Sequence, residues 1–195
     1  MGDWNLTESG ILVWIQDYLR NPVFDMMMPF LSLINEAGAV AILTVLVLLI
    51  WKKYRNCGVT AASSLLTEFI LINIIIKPLV DRIRPYDVNA ALTYLGHKPS
   101  DASFPSGHTG AAFAVAFVML FTMPKKIGIP ATVLAGLIAF SRLYNGVHYP
   151  TDVLGALIIA TITSILMTKL VHPRITAFIE KKNTKDEVQP QTDKE

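Results

Sequence analysis

Two histidines, one aspartate, two arginines and one lysine form three short clusters in this chain, each beside a long apolar run. Lys77 is followed by six residues and then Arg84-Pro85. The tetrapeptide Pro105-Ser106-Gly107-His108 comes next. Ser141-Arg142 is followed by five residues, His148, three more residues and Asp152. Three cations suit a phosphoryl group, whose charge spreads over its oxygens during transfer. The imidazoles beside them add what a plain anion site has no use for, a nucleophile and a proton carrier.

The spacing inside each cluster narrows the chemistry. Pro105 fits the first turn of a helix, where a missing N–H costs nothing. Ser106, Gly107 and His108 would then follow in that turn, where unpaired backbone N–H groups and the helix dipole attract an anion. Gly107 allows close approach to the backbone, Ser106 adds a hydroxyl and His108 can carry a proton. A plain helix start would explain this tetrapeptide if it stood alone. Asp152 lies four residues after His148 and falls in the first turn of the last apolar run. Its carboxylate can reach one imidazole nitrogen, fix the tautomer and leave the other nitrogen free to attack. A buried histidine satisfied by a nearby carboxylate would explain that pair alone. The Arg142 fork suits bidentate phosphate binding. Lys77 is expected to end the second span, with Pro78 terminating its helix, and Arg84 to follow one loop turn later.

Those groups need rigid elements to hold them. The chain has 195 residues, 52% hydrophobic and only 16% charged, against roughly 25% charged in soluble domains. Runs 37–51, 58–76, 110–123, 127–140 and 153–168 are nearly free of charge. With their flanks each approaches the ~20 residues of a helical span. The expected fold class is all-α, a polytopic transmembrane bundle of five to six spans with the phosphate pocket facing outward. Residues 1–36 are expected as interfacial or dipping helices, 37–171 as the transmembrane domain and 172–195 as a polar cytoplasmic tail. Within the first region, 9–20 is amphipathic and suits the membrane interface, while 22–35 either dips over the pocket or extends the first span. Residues 180–195 carry no apolar anchors and are expected to be disordered.

Charge sets the orientation. Lys52, Lys53 and Arg55, Lys125 and Lys126, and Lys169, Arg174, Lys181 and Lys182 gather at one set of span ends, which the positive-inside tendency puts in the cytoplasm. Arg20, Lys77, Arg82, Arg84, Lys98 and Arg142 fall on the other side. Snorkelling to headgroups would anchor such cations but would leave the His and Asp partners unexplained. The acidic, polar start MGDWNLTESG reads as neither a cleavable signal peptide nor a myristoylation site. The lone Cys57 excludes an internal disulfide and a cysteine-based zinc site. Glu68, nine residues before Lys77 and about 13 Å away by helical rise, is either part of a pathway or substrate selection, or an internal polar contact with Asn73 or Ser64.

Taken together, K-x6-RP, PSGH and SR-x5-H-x3-D resemble the signature of the type 2 phosphatidic acid phosphatase superfamily, the lipid phosphate phosphatases. The motifs are complete and in family order over residues 77–152. Soluble relatives, acid phosphatases and vanadium haloperoxidases, share them, but the apolar runs argue against both. The resemblance implies a metal-independent phosphatase with no cofactor, working through a phosphohistidine. It implies His148 as nucleophile, Asp152 as its orienting partner and His108 as proton donor to the leaving oxygen. Lys77, Arg84, Ser106, Gly107 and Arg142 would hold the phosphoryl group, while Asp81 and Arg82 receive no catalytic role. The implied partners are a lipid phosphate substrate and the bilayer, with no nucleic acid. Short bacterial members with this layout resemble enzymes acting on undecaprenyl pyrophosphate, the favoured substrate here. Phosphatidylglycerol phosphate or phosphatidate is the enzymatic alternative, and a lipid-binding or transport protein with a vestigial site the non-enzymatic one.

Overall fold

The computed structural model describes residues 2–188. Its helices run in the order α1 (Gly2–Leu19), α2 (Pro22–Ile34), α3 (Ala39–Ile50), α4 (Arg55–Phe69), α5 (Lys77–Val80), α6 (Pro85–Val88), α7 (Gly107–Thr122), α8 (Lys125–Tyr144), α9 (Pro150–Leu170) and α10 (His172–Val188). The described residues contain no strand. α7 is small and apolar on every side, the pattern of a helix surrounded by others, and α4, α8 and α9 pack around it. Small residues set the spacing: Ala112, Ala114 and Ala116 of α7 meet Ala135 and Ala139 of α8 and Ala160 of α9, as expected where dispersion rather than water drives helix association. Ser164 adds polar links, donating to the Ala114 carbonyl at 3.1 Å and meeting Ser64 at 3.3 Å.

Three helical stretches among the described residues are long and apolar enough to cross a membrane: Lys52–Val88, Lys125–Tyr144 and Pro150–Ile179. Pro22–Ile34 and Glu36–Ile50, bent by 44°, make a fourth if the pair is one span. By length this is fewer than the five to six expected from the apolar runs, because α7 has only 16 residues and the first run is broken from α2 at Asn35–Gly38. There Ala37 and Gly38 take left-handed angles, φ 51° and 72°. α1 starts well before the expected amphipathic segment. It buries Leu12 and Ile15, while Ile11, Trp14 and Tyr18 remain exposed.

Three local expectations are corrected. Pro78 does not end its helix, which continues to Val80 and stops at Asp81 in the left-handed region. The strain that proline places on the preceding turn is taken up by a π-helical stretch, Ile70–Ile76, joining α4 to α5. Its wider turns also change the helix phase. Glu68 and Lys77 are about two and a half α-helical turns apart in sequence, hence opposite each other in a regular helix, yet here they face the same side. Secondly, Pro105 lies outside α7, whose N-cap is Ser106. Finally, the polar stretch expected to be disordered from residue 180 continues as helix to Val188, and 189–195 lie outside the described residues. α10 folds back on the start of α4, with Asn56 Nδ2 donating to Thr176 Oγ1 at 3.0 Å and Thr60 Oγ1 3.2 Å from His172 Nδ1.

The α3–α4 hairpin depends on Gly58. A methyl group there would come within 2.8 Å of the Leu49 nitrogen and 2.9 Å of the Leu48 carbonyl carbon. Those are backbone atoms that cannot rotate aside. Gly58→Ala is expected to lower stability by about 1–3 kcal/mol, the usual scale of overpacking, seen as a lower midpoint of thermal unfolding in detergent.

Candidate active site

A cavity of about 610 Å³ opens where α5 and α7 begin and α8 runs out into the loop before α9. One part of its wall is polar and carries Lys77, Arg84, Gly107, His108, Arg142 and His148. Another part is an apolar trough between α3 and α4, formed by Ile42, Val45, Leu46, Leu65, Leu66 and Phe69. The structure therefore gathers residues from all three sequence clusters around one space. Ser106 and Asp152 belong to the same clusters but stand behind its surface. Ser106 Oγ accepts from Thr109 Oγ1 at 3.0 Å and caps α7, so this hydroxyl serves the helix start.

The tautomer of His148 follows from its neighbours. Nδ1 lies 3.4 Å from Asp152 Oδ2, and Nε2 lies 3.3 Å from an Arg84 nitrogen. A guanidinium can only donate and a carboxylate can only accept. The proton therefore sits on Nδ1, and the Nε2 lone pair accepts from Arg84, itself part of the cavity wall. Asp152 is held on several sides: Oδ2 accepts from Ser103 Oγ at 2.5 Å and the Tyr149 N–H at 2.8 Å, and Oδ1 accepts from Arg82 at 2.8 Å. The Tyr149 contact is half of a capping arrangement at the start of α9, so the element that places Asp152 also uses its side chain.

The cations are buried and held by oxygen. Arg84 donates to the Val147 carbonyl at 2.7 Å and to Asp101 Oδ1 at 2.6 Å. Lys77 is ion-paired to the other oxygen of Asp101, and Arg142 donates to Ser32 Oγ on α2. Burial works against the Asp101 charge, but the hydrogen bonds and charges of Lys77 and Arg84 outweigh it and hold the carboxyl down to about 2. His108 Nε2 is buried without a hydrogen-bond partner, and the nearest acid, Glu36 Oε2, is 3.6 Å away. The groups present can therefore bind a phosphoryl anion, attack it from Nε2 of His148 and exchange a proton at His108.

The family model for the PAP2 superfamily matches residues 56–176. The chain belongs to the PAP2 superfamily. It is thus a membrane-embedded hydrolase of lipid phosphates. The undecaprenyl-diphosphatase of Bacillus subtilis is 36% identical over 155 residues, 75% of each chain. An undecaprenyl-diphosphatase of Sulfolobus acidocaldarius is 30% identical over 169 residues, covering 87% of this chain and 81% of that one. Among solved structures, the PAP2-type phosphatidylglycerolphosphate phosphatase of Bacillus subtilis superimposes with a TM-score of 0.65 at 25% identity, covering 91% of this chain and 85% of its own.

Several residues of this PAP2 phosphatase that bear on the site were not among those expected. Arg82, given no role from the sequence, lies over the Tyr149 ring at 3.8 Å and bonds Asp152. It also meets Glu8 of α1 at 3.4 Å and Asn5 at 2.8 Å, and Glu8 accepts from Thr151. Asp101, Ser103 and Glu36 likewise reach the site from loops or breaks. Only Ser103 and Arg82 had any signal in the sequence, namely closeness to a motif. Glu68 does not make the contacts with Ser64 or Asn73 considered above. Its Oε1 is buried without a partner, and Ser64 pairs with Ser164 instead.

The buried His148 makes a pH prediction. Burial, opposed by the hydrogen bond to Asp152 and reinforced by the charges of Arg84 and Arg142, pulls the imidazole from 6.5 down to about 4. A neutral nucleophile then persists well into the acid range. The acid limb of kcat/KM, corrected for substrate ionisation, should fall below pH 5 and not near 6.5, because this parameter reports the free enzyme. Linkage has the same sign. The unfolded imidazole takes its proton first, so this group's contribution lowers stability as pH falls from about 6.5 towards 4.

Proposed function

We propose that the protein hydrolyses an isoprenoid diphosphate of the undecaprenyl diphosphate kind to the monophosphate and phosphate, through a phosphohistidine on His148. The observation that carries the mechanism is His148, its proton held on Nδ1 by Asp152 and its Nε2 unprotonated, in the wall of a cavity shared with three buried cations. The substrate class is supported by the similarity to undecaprenyl-diphosphatases along most of their length. The apolar trough offers the lipid chain a path away from the polar end.

In the first step Nε2 bonds to the terminal phosphorus as the bond to the bridging oxygen breaks. The isoprenoid monophosphate leaves with its electron pair, and His108 can give that oxygen a proton. Lys77, Arg84 and Arg142 stabilise the charge on the transferring group, and the N–H groups at the start of α7 around Gly107 assist. Asp152 steadies the positive imidazole that results. In the second step water, losing a proton to His108, attacks the phosphorus. The N–P bond breaks and inorganic phosphate departs. A phosphatidylglycerophosphate reading has support in the structural likeness to the Bacillus subtilis enzyme; a panel of both lipids separates the two.

The orientation belongs to the same proposal. Lys52, Lys53, Arg55, Lys125, Lys126, Lys169 and Arg174 lie at helix ends remote from the cavity, which supports a cytoplasmic position for that end. Counting α7 and the bent α2–α3 pair gives five spans, with α1 along the outer interface, where Trp14 and Tyr18 are exposed side by side.

His148→Ala should lower turnover by about three orders of magnitude or more, the scale for a covalent nucleophile, while still folding in detergent. An alkaline quench of wild type turning over diphosphate radiolabelled at its terminal phosphorus should leave an acid-labile label on the protein, absent from the variant. A folded variant with a tenth of wild-type turnover would overturn the assignment. For orientation, Cys57→Ala carrying Lys98→Cys should react with an impermeant thiol reagent in intact cells, whereas Lys125→Cys in the same background should not. The reverse pattern would place the cavity on the cytoplasmic side.

A further inference from the structure

Below the phosphoryl-binding end, one strip of the cavity wall is polar where the surroundings are apolar. It consists of Asn73 and Glu68, both lining the cavity. Glu68 is 1% exposed, and its Oε1 has no hydrogen-bond partner. Asn73 Nδ2 makes one long bond, 3.4 Å, to the Phe69 carbonyl of its own helix. Buried polar groups are normally satisfied, and a carboxyl at membrane depth is costly without a use.

The fold makes two concessions to this pair. The π-helical stretch brings Asn73 and Lys77 onto the same side as Glu68, as described above. The facing surface of α7 is also trimmed to glycine. A methyl group at Gly107 would lie 3.2 Å from Asn73 Oδ1 and 3.9 Å from Lys77 Nζ. One at Gly110 would sit only 1.9 Å from Glu68 Oε1 and 2.6 Å from Ile72 Cδ1, so Glu68 would have to leave its present position. Gly107 and Gly110 are one helical turn apart. Lys77, Asn73 and Glu68 thus form a descending column, the last about 4–5 Å deeper than the first glycine by helical rise. The column leads from the phosphoryl cradle towards the trough.

We infer that Asn73 and Glu68 form a subsite for the second, lipid-side phosphate of a diphosphate substrate. This rests on the isoprenoid diphosphate reading. With the terminal phosphorus at His148 and the chain in the trough, the phosphate that becomes the leaving group lies between them, level with this column. The Asn73 amide donates to its oxygens. Glu68, as the neutral acid, donates one further hydrogen bond. A monophosphate ester has only carbon at that level and gains nothing from either residue. The pair therefore selects diphosphate over monophosphate without touching the transferred group.

The test compares kcat/KM on a radiolabelled isoprenoid diphosphate and on the monophosphate of the same isoprenoid, using the full-length enzyme in detergent. Glu68→Leu and, separately, Asn73→Leu should lower the diphosphate value by roughly ten- to a hundredfold, the scale of a hydrogen bond to a charged group. The monophosphate value should stay within about twofold. Glu68→Gln, which keeps a donor, should retain most diphosphate activity. Equal losses on both substrates in the two Leu variants would make the column a structural contact and overturn the inference, as would diphosphate hydrolysis unchanged in both. The monophosphate arm also reports folding. Wild type that fails to hydrolyse the diphosphate would instead remove the substrate reading before any variant is compared.

Discussion

Three like charges crowded into a low-dielectric end of a helix bundle repel one another strongly, and the rest of this structure is arranged around keeping them together. Asp101 bridges Lys77 and Arg84, the Val147 carbonyl takes a further Arg84 hydrogen, and Ser32 receives Arg142. These oxygens hold the cations before a phosphate arrives, so little reorganisation is left for the reaction itself. Each holder comes from a different part of the chain: the long loop before α7, the loop before α9, and α2. The bend at Asn35–Gly38 belongs to the same scheme. It lets α2 return towards α8 so that Ser32 reaches Arg142, while Asn35 Nδ2 donates to the His108 carbonyl at 3.3 Å.

A second layer fixes the nucleophile. Asp152 orients His148, and Arg82 and Ser103 fix Asp152. Arg82 is in turn fixed by Tyr149 and by Glu8 of α1. This chain of contacts reaches the first helix, which contributes nothing to the cavity wall. Holding a reactive group by neighbours that are themselves held is what keeps a site within the narrow tolerance catalysis needs. α1 therefore belongs to the site by support, even though its exposed face carries Trp14 and Tyr18.

The central parts of this site could be read from the sequence because they sit at helix ends or in short turns. Lys77, Arg84, Gly107, His108, Arg142 and His148 converge because α5, α7 and α8 all present the same end to one space. Asp152 reaches His148 by local spacing. What could not be read depends on how remote segments return. Asp101 looks like any loop carboxylate until the loop folds over Lys77, and Glu8 lies far from Arg82 in sequence. The π-helical stretch was also hidden. Pro78 suggested an end to the helix, whereas the turns before it widened and let the helix continue. The role of the Ser106 hydroxyl in capping α7 turned on a one-residue difference in where that helix begins.

The central position of α7 has a consequence for how this protein can diverge. Its side chains meet neighbours on every side, and its glycines and alanines are spaced to hold α4, α8 and α9 at fixed distances. A substitution there has to be answered by others across the interface. On the outer faces Leu43, Val133 and Ile158 are exposed, and there another apolar residue serves equally well. Tolerance to substitution is thereby greater at the periphery, and α7 acts as the ruler against which the other helices keep their separation.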